Sequence, residues 1–516
     1  MINLRRSAVV LMAATAAGYA LSFGKEAVVA WLFGTGPEMD AYYAALALPN
    51  FLTTLLGFAV YAILVPTYVT WKIRRPDAAD ALSKLVLRDV TLALGLLSAL
   101  LALLAGPLMR LLFPGIPSAV AARAAQLERL MAWAAVASGT ANLVIGLLNA
   151  QGSFAVPSLS ASIVTLTTLA AIALFRRHGA MALAGGLVAG AALQALWLLR
   201  RWRRVRGHDS AARIGWGDPD LKDLLPFATA VMATFGMSEI NNVVDRLMAS
   251  FSTPGSVASI GYALKLLLVP QQILCIPVAA VAFPVLAEKL ARADEAALRQ
   301  DFGKACRLSF ALILPATALL LRYSGAIVVL FFQRGRFDPR STWMVARVLS
   351  CFALSLPFTT PLFLVSRLAI IRRQTRIILA IGAAGVGLNA AFDWLLMRWW
   401  DPPVAGIALS TSLTTAAALA AYLAFLRRAH PWLGMRTLGK SARPYLLPTA
   451  TMALTAEAAW RLLPRAAPLP RLAAALLAGS AALAVAAHFL RLDEMVRGMS
   501  LAKAWFGAEK SSAPLS

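Results

Sequence analysis

"VTLALGLLSALLALLAGPLM", residues 90–109, runs for twenty positions without a charged side chain. As a helix it would be about 30 Å long, the thickness of a bilayer's hydrocarbon core. Comparable runs recur along all 516 residues. They predict spans near 8–33, 40–71, 88–113, 127–150, 155–175, 180–199, 223–251, 257–287, 304–332, 343–368, 375–397, 403–426, 442–463 and 470–490. Composition agrees, at 60% hydrophobic, 14% charged and a mean hydropathy of +0.71. The expected class is therefore an all-α polytopic membrane protein of about fourteen transmembrane helices.

The net charge of +25, from 49 basic and 24 acidic residues, suggests nucleic acid only until its placement is examined. The cations crowd short loops beside spans, where topology and anionic headgroups account for them. "RRWRRVRGHDSAARIGWGDPDLK" (200–222) holds seven Lys and Arg, whereas "GTGPEM" (34–39) and "STPGS" (252–256) hold none. The positive-inside rule then puts both termini in the cytoplasm, with "QRGRFDPR" (333–340), carrying three Arg, as the dissenting outer loop. No cleavable signal peptide is expected, because the segment after Arg5 and Arg6 is too long for one. Cys275, Cys306 and Cys351 have no metal-ligand spacing, and no loop is long enough for a soluble enzyme domain. The expected partners are membrane lipids, with no nucleic acid, no catalytic residues and a single working chain.

An internal repeat is expected at an offset of about 219. Tyr43-Ala44 with Pro66 is echoed by Tyr262-Ala263 with Pro284, each after a short Gly/Pro turn. The turns "NAQGSFAVPS" (149–158) and "IIRRQTRI" (370–377) hold matching places. This divides the chain into six spans (1–205), six spans (206–430) and two appended spans with a cytoplasmic tail (431–516). Transporters built from repeats gather their intramembrane polar groups between the halves. Lys25 and Lys265, in the first and second helices of the two halves, are the candidate cations there, and cations imply an anionic substrate such as a phosphate. The competing reading is that each lysine reaches out to a headgroup.

Asn389 and Asp393 lie one turn apart in the otherwise apolar "GVGLNAAFDWLLM" (385–397), and Asp245 lies within "INNVVDRLM" (240–248). A Val404 carbonyl and the Ser410 or Thr411 hydroxyl are candidate additions. Two carboxylates brought together must share a cation or a proton, and an all-oxygen set suits a hard ion. The alternative is that Asp245 pairs with Arg246 and that Asp393 meets water or Arg398.

Several stretches carry a family resemblance: "FGKEAVVAWLFGTGPEMDAYYAALALPN" (23–50), "GMSEINNVVDRLMASF" (236–251), "GSVASIGYALKL" (255–266), "LFFQRGRFD" (330–338), "GLNAAF" (387–392) and "VAGIALSTSL" (404–413). In this order the chain resembles the MurJ (MviN) family, lipid II flippases of the multidrug/oligosaccharidyl-lipid/polysaccharide exporter superfamily. The resemblance implies two six-helix lobes alternating between inward-open and outward-open states, with the last two helices grooved for a polyprenyl tail. The implied substrate is undecaprenyl-pyrophosphate-linked disaccharide pentapeptide, moved to the outer leaflet of the bacterial inner membrane. It also implies a cavity lined by Lys25, Lys265, Asp40, Glu26, Asn50, Thr53 and Thr54. A sodium site would comprise Asp245, Asn389 and Asp393, joined by Val404, Ser410 and Thr411, with no other cofactor.

The chain departs from the family pattern where paired arginines are usual. "LPNFLTTLLGFAVYAILVP" (48–66) offers Thr53, Thr54 and Gly57 instead, an acidic position becomes Leu268, and lysines replace arginines at 25 and 265. Another polyprenyl-linked glycan, or a multidrug/cation antiporter of the same superfamily, is thus a competing substrate assignment. Asp40 has a simpler reading, as a carboxylate favouring the N-terminus of its own helix.

Overall fold

The computed structural model describes residues 4–153, 155–206, 214–222, 225–372, 374–463, 467–490 and 492. The predicted tail beyond 492 and part of the basic loop, 207–213, lie outside the described residues. Among the described residues, the helices long enough to be set beside the fourteen predicted segments group into rods that overlap them. They are α1 (Leu4–Phe33), α2 (Pro37–Arg74), α3 (Pro76–Leu112), α4 (Ser118–Ala150), α5 (Ala155–Leu174), α6 (Ala180–Val205) and α7 (Leu225–Ser250). There follow α8 (Ser256–Ala291), α9 (Glu295–Phe331), α10 (Pro339–Ala353 and Leu356–Ile371, bent by 44°), α11 (Thr375–Trp399), α12 (Pro403–Leu426), α13 (Met435–Leu462) and α14 (Pro468–Phe489). There is no strand among the described residues.

Ten of these are long and apolar enough to cross a membrane, or eleven when bent α10 is taken as one span. The expected fourteen is therefore not reached by this measure, and two rods show why. Helix α7 carries Glu239, Asn241, Asn242, Asp245 and Arg246, and α13 carries Arg436, Lys440, Arg443, Glu457 and Arg461. Such polar loads are not tolerated against lipid and require protein or water on that face. Several rods also begin earlier than the apolar pattern predicts. Helix α4 starts at Ser118 rather than near 127, and α9 at Glu295 rather than near 304.

The internal repeat is visible in the backbone. Helix α2 widens into a π-helical turn at Thr53–Phe58, and α8 does the same at Gln271–Cys275. Their first residues are 218 positions apart, the same offset as Pro66 and Pro284 further along the same rods. A π turn carries one extra residue per hydrogen-bonded ring and swings the following side chains around the axis. Both halves use this device at the same register.

Close packing groups the chain into two compact units. The first is Met1–Gly261 with Arg334–Ser341 and Arg373–Met397. Its core joins Leu52, Leu64, Tyr68 and Trp71 of α2 to Leu82, Val86 and Leu94 of α3, Leu143 and Leu147 of α4, and Leu198 and Trp202 of α6. Helices α2 and α4 approach so closely that a Cβ on Gly57 would stand 3.1 Å from the Gly139 Cα.

The second unit is Tyr262–Gln333, Thr342–Arg372 and Arg398–Ser516. There Ser412 donates to the Cys351 carbonyl at 2.7 Å, linking α12 to α10. The two appended helices pack on each other, with Gly479 facing Ala456, and α13 is tied to α9 by Arg322 and Glu457 at 2.7 Å. After α12, buried His430 meets Glu295 at 2.7 Å through Nδ1, and the Trp432 indole donates to the same carboxylate.

Candidate functional site

Within the first unit the polar faces of α7 and α11 meet. Asn389 Nδ2 donates to Asp245 Oδ1 at 2.6 Å and to Asp393 Oδ2 at 3.2 Å. All three side chains are buried, at 1%, 4% and 0% exposure. The i, i+4 spacing of Asn389 and Asp393 aims both at one point, and α7 supplies the third group from across the interface. One amide thus bridges two carboxylates, whose mutual repulsion is relieved when a cation or proton is shared between them. A half-turn of that amide would exchange its donor face for an acceptor oxygen, giving three oxygens around a hard cation. Arg246 is also buried, and both Asp245 and Glu239 act on its charge, so the alternative Asp245–Arg246 attraction is present as well. Among the described residues no three His, Cys, Asp or Glu side chains gather as a metal site. Val404 and Ser410 are buried on α12 in the second unit, where the Thr411 hydroxyl donates to the Ile407 carbonyl at 3.2 Å.

A second polar arrangement of the first unit lies at the turn between α1 and α2. Asp40 is buried, and its carboxylate accepts from the Gly255 amide at 2.6 Å and the Ala258 amide at 2.8 Å. It therefore caps the N-terminus of α8 rather than only favouring that of its own helix. Each charge-assisted bond of this kind contributes about 1.5–3 kcal/mol. The same turn is held from another side by residues 334–341. Thr35 and Ser341 share a hydroxyl hydrogen bond of 2.6 Å, and the Arg336 amide donates to the Trp31 carbonyl at 2.9 Å. Gly255 and Gly335 both have positive φ, +92° and +59°, and a Cβ on either would run into the turn, at Thr35 and Trp31 respectively. Asp338 accepts from the Ser341 amide at 2.7 Å and caps α10, and these bonds hold its carboxyl below the usual range.

The other predicted cavity residues are spread along α1, α2 and α8. Lys25 is paired with Glu26 at 2.9 Å, the lysine 17% and the glutamate 7% exposed along the side chain. Neighbouring charges of opposite sign leave this site less cationic than the sequence implied. Asn50, Thr53 and Thr54 are half-buried where α2 enters its π turn, and the Thr53 hydroxyl donates back to the Pro49 carbonyl at 2.9 Å. Lys265 is half-buried on α8, in the second unit, and Leu268 is exposed.

Sequence reasoning missed Thr35, Ser341 and Glu128. Thr35 lies in a turn and Ser341 at the start of α10, and neither hydroxyl carries a pattern. Glu128 was not singled out, because it lies next to the predicted start of a span near 127; α4 begins at Ser118, and Glu128 is completely buried within it, at 0% exposure.

Residues 29–463 match the family model described as "Lipid II flippase MurJ". The chain belongs to the MurJ family. Curated family members similar to it include a probable lipid II flippase of Synechocystis sp., 28% identical over 355 residues and covering 65% of each chain. That match thus spans slightly less than two thirds of the relative's length. A second, from Bdellovibrio bacteriovorus, is 23% identical over 432 residues and covers 81% of each. Among solved structures, a lipid II flippase of the family in an inward closed conformation aligns with a TM-score of 0.73 at 19% identity, covering 93% of this chain and 99% of that one. An inward-facing multidrug transporter of the MATE family aligns at 0.62 and 16% identity, covering 83% and 98%. Those structural likenesses establish the two-lobe fold, and with the apolar spans they make this a multi-pass membrane protein.

Proposed function

We propose that this chain is a flippase that moves polyprenyl-pyrophosphate-linked peptidoglycan precursor, lipid II, from the inner to the outer leaflet by alternating access. The family match over residues 29–463 is the observation that carries this reading. Crossing inside a polar cavity spares the sugar and pyrophosphate the cost of entering hydrocarbon, while the tail stays in lipid. No covalent chemistry is required, so the protein is a transporter and not an enzyme. It works in the bacterial inner membrane with both termini cytoplasmic, as a single chain whose lobes are 1–205 and 206–430, followed by the two-helix segment from 431.

Sodium is the coupling ion in this reading. The buried Asp245, Asn389 and Asp393 support it because they bring two carboxylates to one amide; the reading also assigns Val404, Ser410 and Thr411 as ligands. An ion that binds one lobe arrangement better shifts the population towards it. Lys25 and Lys265 serve the pyrophosphate, with Glu26, Asp40, Asn50, Thr53 and Thr54 shaping the cavity.

A second reading, transport of another polyprenyl-linked glycan, draws support from Thr53 and Thr54 standing where family arginines are usual, and from the Lys25–Glu26 pair. The discriminating experiment is a headgroup-accessibility assay in depleted cells, with lipid II and a second polyprenyl-linked glycan as probes. Trapping of lipid II in the inner leaflet supports the first reading, and trapping of the other glycan alone supports the second. Equal exposure of both with and without the protein, when no other flippase is present, removes the transport reading. Replacing Lys25 and Lys265 together by Gln should abolish flux while protein levels hold. Wild-type flux in that variant would mean that the lysines only reach headgroups.

A further inference from the structure

Glu128 sits some ten residues, about 15 Å, inside α4. It is completely buried, and among the described residues neither carboxyl oxygen has a hydrogen-bond partner. Its surroundings follow from two registers. Thr91 and Thr140 share a 2.9 Å hydroxyl bond and Leu94 packs on Gly139, so α3 and α4 run antiparallel with Glu128 opposite residues 103–105. Arg123 donates to the His178 carbonyl at 3.4 Å, so carrying α4 and α6 inward together sets Glu128 level with the buried Leu183 and Ala184. These neighbours on α3 and α6 are aliphatic, and the Arg123–Glu38 contact sets Glu128 level with the buried Tyr42 and Tyr43 of α2.

The charged and titratable groups around it are accounted for. Helix α3 has none between Asp89 and Arg110, α6 none from 180 to 199, and α5 none at all. Helix α2 offers Glu38, Asp40, Tyr42, Tyr43, Tyr61, Tyr68, Lys72 and Arg74. Glu38 is occupied by the Ala180 amide at 2.7 Å and by Arg123 at 3.7 Å, and Asp40 by the Gly255 and Ala258 amides. Lys72 and Arg74 belong to the far end of α2. On α4 itself, Arg123 also donates to Gln126 at 3.1 Å, and Arg129 is exposed. Among the described residues neither Glu128 oxygen accepts a hydrogen bond from any of these groups, and burial without a partner opposes the charged form.

We propose that Glu128 is a proton-binding site of the first six helices: it holds a hydrogen ion in the conformation described here and releases it to water when α4 is hydrated in the opposite state of the cycle. The step is simple. A carboxylate oxygen gains an O–H bond from a hydronium ion, and the reverse returns the proton to water. The coupling of this proton to transport rests on the flippase reading; the binding itself does not. By linkage, one such proton changes the ratio of the two conformations by up to about tenfold per pH unit across its titration, acid favouring the state seen here.

The test uses the full chain in liposomes. Infrared difference spectra in light and heavy water should show a protonated carboxyl carbonyl band at neutral pH that Glu128→Gln removes. Lipid II flux should depend on pH in the unaltered protein and become flat in Glu128→Gln, which keeps its sodium response. Spin labels on the 31–36 and 334–341 turns, with Glu128 intact, should report a population that shifts with pH. A spectrum that loses no protonated-carboxyl intensity in Glu128→Gln overturns the proposal, and so does a spin-label population that ignores pH. A flux profile unchanged by Glu128→Gln overturns the coupling. Should the unaltered chain move no polyprenyl-linked substrate at all, the flippase reading fails while the band and the population shift still decide the proton site.

Discussion

Two buried carboxylate sites of the first unit, Asp40 and the Asp245–Asn389–Asp393 group, resolve the same electrostatic problem with different partners. Asp40 meets two backbone amides at the start of α8, and those amides are fixed by the helix they open. Asp245 and Asp393 meet one side-chain amide, which rotates about its own bond. A carboxylate held by backbone locks a geometry, whereas carboxylates held by a rotatable amide can exchange that partner for an ion. The first therefore suits a latch and the second a switchable site.

The largest expected effect breaks the latch. Asp40→Ala removes both charge-assisted bonds, a loss of about 3 kcal/mol or more, and should shift the closed turn towards opening by roughly a hundredfold. Spin-label distances between the 31–36 turn and the start of α8 would read this, and an unchanged distribution would mean that Asp40 carries no latch energy. Next in size, Asp245→Asn and Asp393→Asn should each abolish the sodium-dependent rise in thermal midpoint and lower sodium-stimulated flux by roughly five- to 150-fold, the range of a coupling of 1–3 kcal/mol. Retention of the wild-type sodium response in both variants removes the site.

A smaller effect sharpens the contrast within the latch. Thr35→Ala or Ser341→Ala deletes one neutral hydroxyl bond and should weaken closure by about 1 kcal/mol, roughly fivefold, with sodium affinity unaltered. The paired Thr35→Cys and Ser341→Cys variant should cross-link, stopping flux until a reductant restores it; free flux in the cross-linked protein would exclude this turn as a moving gate. The smallest effect is acid loosening at Asp338. Its carboxyl lies below its ordinary value, so its contribution is complete above about pH 4 and is lost only as pH falls through the lower folded value. Asp338→Asn should accordingly weaken closure by the same small amount at every pH between 5 and 8 and leave its pH dependence in that window unchanged, and a pH-dependent difference there would show that other groups depend on it.

The membrane class, the helical rods and the family were legible in the sequence because hydrocarbon imposes a length and an apolarity on each span that a one-dimensional pattern records. The meeting of Asp245 on α7 with Asn389 and Asp393 on α11 was legible for a related reason. Carboxylates in apolar helices are costly enough to stand out, and i, i+4 spacing sets Asn389 and Asp393 on one face. The repeat announced itself through Tyr-Ala and Pro pairs. Its π turns did not, because a backbone ring with one extra residue has no side-chain signature. Partners were the other blind spot. Lys25 looked like a candidate cavity cation until Glu26 was found on it, Asp40 looked like a cap for its own helix until α8 arrived, and Glu128 drew no notice until its burial was seen. Sequence determined which groups must be resolved in an apolar setting. Only the tertiary structure decided which donor, counter-charge or empty space each one met, because those partners come from segments far away along the chain and their approach is set by packing rather than by local pattern.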